Sequence, residues 1–431
     1  MSTTTPPADR AVGGRNPWAW IPTLYFAQGM PYVMVMSVSV IMYKNLGISN
    51  TDIALYTSWL YLPWVIKPLW SPLIDMFKTK RLWVVATQFV VGVALALVAF
   101  TLPTPFFFQM SLAMLWLMAF ASATHDIAAD GYYMLELPTH LQAAFVGVRS
   151  TFYRIANIAG QGALVYLAGQ LMESNMEAKA AWQIVLIVLA ALFALLFAYH
   201  AWMLPKPAGD VPTGKGDGVV AGFLETFVSF FARKDILLVL SFLLLFRLGE
   251  AQALKLIAPF LLDSTAKGGL GLTTKDVGLV YGTIGVLSLT VGGILGGLAI
   301  SSGGLKKWIW PMLFCVHVPN LAFVVLAYLQ PSSIPLIATA IAIEQFGYGF
   351  GFAAFLMYMI MVADGPHKTA HYAICTGFMA MGMMFPGMVS GKIQDMLGYQ
   401  HFFVWVLICC LPSVVATWFL KIDPAFGKKA A

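Results

Sequence analysis

Lys67, His125, Asp126, Asp130, Arg149 and Arg154 in the first half of the chain, and Arg247, Glu250, Lys255 and Glu344 in the second, sit within or at the mouth of long apolar stretches. A charge in such surroundings is costly unless it is paired or used, so each is a candidate for binding or proton transfer. Asp126 and Asp130 are four apart and share one helix face. Lys67, Arg149 and Arg154 are the cations available in the same half. The set would fasten helices together as ion pairs, or exchange protons and bind an anion. Arg247 and Glu250, three apart, can pair along their own helix. Glu344, followed by Gln345, has no cation on its own helix and must meet one across a cavity or carry its proton. A carboxyl that alternates between those two conditions is what proton coupling requires. Asp126, Asp130, Glu250 and Glu344 are therefore the candidate coupling acids. The candidate substrate contacts are the cations Lys67, Arg154 and Arg247 with the neutral groups Gln28, Gln161 and Asn320, and Lys255 is a further cation that could meet a carboxylate.

The elements that must position these residues are membrane-spanning helices. Hydrophobic residues make up 60% of the 431-residue chain and charged residues 10%, against about 25% charged in soluble domains. Apolar stretches of about 20 residues follow one another along almost the whole chain, each long enough to cross a bilayer as a helix. The short alternating segments of a β-barrel do not appear. Spans are expected near 18–43, 52–74, 83–102, 107–133, 143–171 and 181–203, then near 236–262, 274–300, 308–329, 334–362, 369–391 and 400–420. Residues 1–17 read as a disordered cytoplasmic terminus, 18–203 as one six-helix bundle, 204–235 as a cytoplasmic linker, 236–420 as a second bundle and 421–431 as a cytoplasmic tail. A full-length span follows the polar start, so no cleaved signal peptide is expected.

Of the 25 Lys and Arg residues, 16 fall in loops on one side of this topology, and only Lys44, Lys179, Lys267, Lys275 and Lys392 on the other. That bias puts both termini in the cytoplasm and accounts for the net charge of +6 without nucleic acid. Cys315, Cys375, Cys409 and Cys410 lie in apolar segments with no metal-ligand spacing and read as packing residues. No phosphate-binding loop, zinc spacing or nucleophile elbow is present in the sequence. The chain reads as a carrier rather than an enzyme, with no cofactor or metal, working on a small molecule and protons as a monomer.

The two halves resemble each other. Leu46-Gly47-Ile48-Ser49-Asn50-Thr51-Asp52 enters the second span, and Leu270-Gly271-Leu272-Thr273-Thr274-Lys275-Asp276 enters the eighth. Ala129-Asp130-Gly131 closes the fourth span and Ala363-Asp364-Gly365 the tenth. A duplicated bundle suits alternating access around a site between the halves. Ser71 to Arg81 resembles the loop signature of the major facilitator superfamily, with Leu73, Asp75, Lys80 and Arg81 matching and Ser71 and Lys78 in place of its glycines. The resemblance implies a gating role for Asp75, Lys80 and Arg81, a charge latch that holds a neighbouring helix end in one state. Leu62-Pro63 through Lys67, Trp70 and Pro72 to Asp75 looks like the second-helix pattern of AmpG-type muropeptide permeases. Ala123-Thr124-His125-Asp126-Ile127 with Asp130 resembles their fourth-helix pattern, with His125 in place of a Gln. The resemblance implies an all-α polytopic membrane protein of twelve helices in two pseudo-symmetric bundles. It further implies proton-driven import of an anionic cell-wall fragment across a bacterial inner membrane. Siderophore and acyl-CoA-type carriers resemble the same branch, and a drug/proton antiporter is the alternative that the 23 Met and 31 Phe keep open.

Overall fold

The computed structural model describes residues 15–207, 209–212, 225–363 and 368–428. The stretch read as a disordered terminus lies outside the described residues, as do Asp364-Gly365 and most of the linker. The described residues are helical throughout, with no strand. Among the described residues, nine helices are long and apolar enough to cross a membrane. One of these, Ala370–Trp418, is two spans merged across Gly398, whose φ of 69° turns the chain back. Residues 50–76 and 139–173 are helical but too interrupted or too polar to qualify by hydropathy. Counting the merged helix as two and adding these two gives twelve. They are named here α1 (Pro17–Asn45), α2 (50–76), α3 (Lys80–Thr101), α4 (Phe107–Glu136), α5 (139–173), α6 (Ala178–Met203), α7 (Ile236–Leu262), α8 (Thr274–Gly303), α9 (Leu305–Leu329), α10 (Ile334–Val362), α11 (368–397) and α12 (399–418).

Several helices are broken, and the breaks have local causes. In α2 the helix stops at Trp59 and restarts at Leu62, because Pro63 has no N–H to give the Trp59 carbonyl. In α7 the chain opens at Phe246, and Arg247 becomes the N-cap of a second piece, Leu248–Leu262. Pro319 interrupts α9 within a 3-10 turn, Val318–Asn320. π-helical turns occur at Met34–Val38 in α1, Ala159–Leu164 in α5 and Gly278–Gly285 in α8. Such wide turns free backbone groups and recur at functional sites.

The repeat seen in the sequence has a physical basis. Gly47 and Gly271 both adopt positive φ, 82° and 67°, where a side chain would be strained. Two residues later, Ser49 and Thr273 cap the next helix, each accepting from the backbone N–H of the Asp three positions on, Asp52 and Asp276. The same turn-and-cap device thus starts α2 and α8.

The chain divides into two compact units, 1–32 with 69–156 and 186–216, and 33–68 with 157–185 and 217–431. Their boundary runs through α1, α2, α5 and α6 as well as through the linker. The first unit has a core of Trp20, Leu24, Val84, Ala128, Tyr132 and Leu204. At its loop between α2 and α3, Asp210 accepts from the backbone N–H groups of Lys80 and Arg81 at 2.7 and 2.9 Å, an acid at a helix N-terminus. The Arg81 guanidinium bonds the Leu204 carbonyl at 3.0 Å and that of Ala201. Lys80 lies across Gly131, where an added Cβ would come within 2.5 Å of its side chain. The Asp75 side chain lies outside the described residues.

The second unit has a core of Phe242, Phe246, Leu313, Phe355 and Met359. Its helices approach closely at glycines. Gly347 and Gly351, four apart, meet the Cys315 and Met312 carbonyls of α9, while Gly349 on the opposite face meets Leu289 of α8. Gly292 and Gly296 of α8 pack on α10, whereas Gly297 faces open space.

Candidate functional site

In the first unit, Asp130 on α4 and Arg149 on α5 form an ion pair of 2.5 Å. The Tyr25 hydroxyl donates to the same Asp130 oxygen at 3.1 Å. The Arg149 guanidinium lies over the Tyr25 and Tyr133 rings, 4.4 Å from each centroid. Of the cations offered to the α4 acids, Arg149 is thus held on Asp130. Asp126 and Arg154 belong to this unit too, whereas Lys67 belongs to the other. His125, one residue from Asp126 and rotated about a quarter turn from it, points elsewhere. Its Nε2 bonds Gln88 of α3 at 3.0 Å, and the other end of Gln88 bonds His200 of α6 at 2.8 Å. His200 in turn meets Thr23 at 2.9 Å. This buried chain fastens α1, α3, α4 and α6, so His125 serves packing inside the unit. Gln28 on α1 is buried, and its side-chain oxygen has no hydrogen-bond partner among the described residues.

The second unit holds the larger polar group. Arg247 donates to Glu250 at 3.0 Å, the i,i+3 pair expected from the sequence, and to the Tyr348 hydroxyl at 2.5 Å. Its guanidinium stacks over Phe352 at 4.9 Å. The α7 break puts Arg247 at a helix start with Glu250 in the first turn beyond it, which places an acid near free backbone N–H groups. Glu344 on α10 is 2% exposed. It accepts from Gln345 at 2.9 Å, and no described ion pair includes it. It interacts electrostatically with Glu250, and both act on Tyr281 of α8. The two candidate acids of the second half are thus neighbours, one paired and one without a cation among the described residues.

Lys255 lies two helical turns beyond Arg247 on the same piece of α7 and is 3% exposed. Its ammonium donates to Thr57 of α2 at 3.0 Å and sits 5.2 Å from the Tyr61 ring centroid. No described carboxylate pairs with it. It faces a small cavity of about 40 Å³ lined by Met36, Ser37, Val40, Tyr61, Leu254, Ala258 and Tyr281. The π turn of α1, the break of α2, the second piece of α7 and the π turn of α8 all contribute to this lining. Gln161 lies in the π turn of α5, where its backbone carbonyl lies against Gly282 of α8. Asn320 is turned back on its own helix, donating to the Val316 carbonyl at 3.2 Å.

A third polar group is not evident from the sequence. Lys44, in the last turn of α1, pairs with Asp263, after α7, at 2.7 Å, with side-chain exposures of 14% and 9%. Lys44 also donates to Asn50 at 2.8 Å. Asn50 donates to Gln394 and Tyr399 at 2.7 and 2.9 Å, and Tyr399 donates to Asp263 at 2.6 Å. Asn45 bonds Thr274 and Trp182, and Lys275 pairs with Glu173 at 2.9 Å. Gly391 of α11 seats directly on the Asn50 carbonyl. Every member sits in or beside a connector that follows an odd-numbered helix, so the group seals one end of the second unit. Two of the five lysines assigned to that side of the membrane are used here.

Breaking a buried ion pair by removing one partner strands the other and costs about 3–5 kcal/mol. Lys44→Met should therefore loosen this end. A cysteine at Ser58, buried beneath the seal, should be alkylated at least tenfold faster in the Lys44→Met protein than in its parent, and Asp263→Asn added to it should slow the reaction again. Equal rates in all three would mean that the network does not hold the end shut.

A twelve-helix membrane chain with a repeated half, broken helices and buried charges around them is built as a carrier, not an enzyme. The chain matches the Major Facilitator Superfamily over residues 23–364, and it belongs to that family. It is 26% identical over 408 residues to the anhydromuropeptide permease of Escherichia coli (strain K12), covering 91% of this chain and 77% of that one. It is 25% identical over 415 residues to the AmpG 4 protein of Rickettsia felis, covering 92% and 95%. Among solved structures, the D-xylose–proton symporter superposes with a TM-score of 0.71 at 10% identity, covering 96% of this chain and 99% of that one. The protein is thus a multi-pass membrane transporter of the Major Facilitator Superfamily.

Proposed function

We propose that the chain imports a small anionic solute together with protons, the solute being a cell-wall muropeptide or an anhydromuramyl amino sugar. Its setting is a bacterial inner membrane, with both termini cytoplasmic as the loop charges predict. The observation that carries the anionic cargo is Lys255, a buried ammonium facing a cavity with no carboxylate of the described chain to neutralise it. Buried charges are stable when paired, so a substrate carboxylate is the natural counter-ion. The similarity to the anhydromuropeptide permease of Escherichia coli supports a muropeptide as the source of that carboxylate. Glu344, buried beside Glu250 and without a cation among the described residues, supports proton coupling, and the remaining acids Asp126 and Asp130 stand as alternative carriers. Gln28, Lys67, Arg154, Gln161, Arg247 and Asn320 stay candidates for contact with the rest of the solute. Asp75, Lys80 and Arg81 are proposed to act as the gating latch of the loop between α2 and α3.

Counterflow in proteoliposomes tests the cargo. Vesicles loaded with an N-acetylglucosaminyl-anhydromuramyl sugar should draw in a labelled trace of the same compound. Its methyl ester, which lacks the charge for Lys255, should compete at least tenfold less well. Equal competition by the ester, or counterflow with a cationic lipophilic drug in place of the sugar, would defeat the anionic-cargo reading.

A further inference from the structure

A surface cavity of about 620 Å³ lies where α9 begins and α12 ends, lined by Lys306, Trp310, Trp418, Lys421 and Asp423 among others. A second cavity of about 550 Å³ adjoins it through Lys421 and Asp423 and adds Arg233 and Lys234. The acids there are already engaged. Asp423 accepts from the Ala425 backbone N–H at 2.9 Å, and Asp235 lies 3.5 Å from Arg233. Lys306 and Lys421 are exposed and enter no described ion pair, which leaves the cavity a net cationic mouth.

The other wall is aromatic and apolar. Trp310 and Trp418 meet edge to face at 5.9 Å, and Trp418 is 75% exposed. Below them Phe314, Leu411 and Val415 continue an exposed apolar strip along α9 and α12. Phe314 lies one helical turn from Trp310, and Leu411 and Val415 are four apart, so each pair follows one helix face. Tryptophans settle at the level of lipid headgroups. The cavity therefore sits at the boundary between headgroup and hydrocarbon, with lysines on the aqueous side and an acyl-sized strip on the other.

We infer that this cavity binds the phosphate of an anionic phospholipid, with Lys306 and Lys421 on the phosphate and an acyl chain along Trp310, Phe314 and Val415. Basic pockets between membrane helices bind acidic headgroups, and each lysine near such a surface contributes roughly 1 kcal/mol. Two lysines then imply a preference of about tenfold or more over a zwitterionic lipid.

Native mass spectrometry of the delipidated full-length protein tests this. Dioleoyl phosphatidylglycerol should bind at least tenfold more tightly than dioleoyl phosphatidylcholine. The double variant Lys306→Gln/Lys421→Gln should lose that preference, while Lys78→Gln/Lys428→Gln, which removes two exposed lysines outside the cavity, should keep it. The variants alter only exposed side chains, and an unchanged melting temperature in phosphatidylcholine checks their folding. Glycerol 3-phosphate should bind far more weakly than the lipid. The proposal is overturned if the two lipids bind equally, if the Lys306/Lys421 variant keeps the preference, or if glycerol 3-phosphate binds as well as phosphatidylglycerol, which would make the site one for a soluble phosphate.

Discussion

Glu344→Gln transporter should exchange substrate at close to the parent rate and fail to accumulate it. Glutamine has the shape and hydrogen-bonding capacity of the protonated acid, so the carrier would be fixed in its proton-loaded form. Exchange needs no net proton movement and survives. Accumulation needs the proton to leave on the far side, and the amide cannot release one. With one proton per solute, a gradient of one pH unit supports about tenfold accumulation, so the ratio of internal to external substrate should fall from that value to one. Glu250→Gln is expected to behave differently, because its carboxylate is held by Arg247 at 3.0 Å and its removal strands a buried cation. That protein should lose stability as well as transport. If Glu344→Gln accumulates substrate like its parent, Glu344 is not the coupling acid and Asp126 and Asp130 become the leading pair.

The second large effect concerns Lys255. Replacement by Met keeps an unbranched side chain, one atom shorter, and removes the charge. A hydrogen bond to a charged group contributes about 1.5–3 kcal/mol, so the KM for the anionic solute should rise roughly ten- to 150-fold. Stability without substrate should hold or increase, because a buried ammonium held only by Thr57 and the Tyr61 ring is itself costly. That combination, weaker transport with no loss of folding, separates a binding lysine from a structural one. An unchanged KM with a lower melting temperature would assign Lys255 to helix packing.

Much of the helix pattern was legible because hydropathy and punctuation agree. The spans expected at 236–262 and 334–362 are the helices Ile236–Leu262 and Ile334–Val362, bounded by Asp235 and Asp263 and by Ser333 and Ala363. The Arg247–Glu250 pair was legible because it needs only helical spacing. So was the Leu-Gly repeat, since positive φ and N-capping are local demands. The Lys44–Asp263 seal was not legible. Its partners are 219 residues apart, and each reads by itself as an ordinary polar residue in a loop. The Gln88–His125–His200 chain escaped for the same reason, with one polar residue on each of three helices. His125 invites a functional reading beside Asp126, yet a one-residue step on a helix turns it toward a different neighbour. Asp210 lay in a stretch read only as linker, although its carboxylate caps α3. Lys67, Asp126 and Arg154 remain a proposed set, with Asp126 and Arg154 in the first compact unit and Lys67 in the second.

Coupling of a proton to an anionic sugar is tested most directly by imposing a pH gradient on proteoliposomes and following labelled anhydromuramyl disaccharide. Proton-coupled import predicts accumulation when the outside is more acidic, collapse of that accumulation on adding a protonophore, and alkalinisation of the medium as unlabelled substrate enters. Uptake that only equilibrates, at the same rate with the gradient imposed, collapsed or reversed, would contradict it.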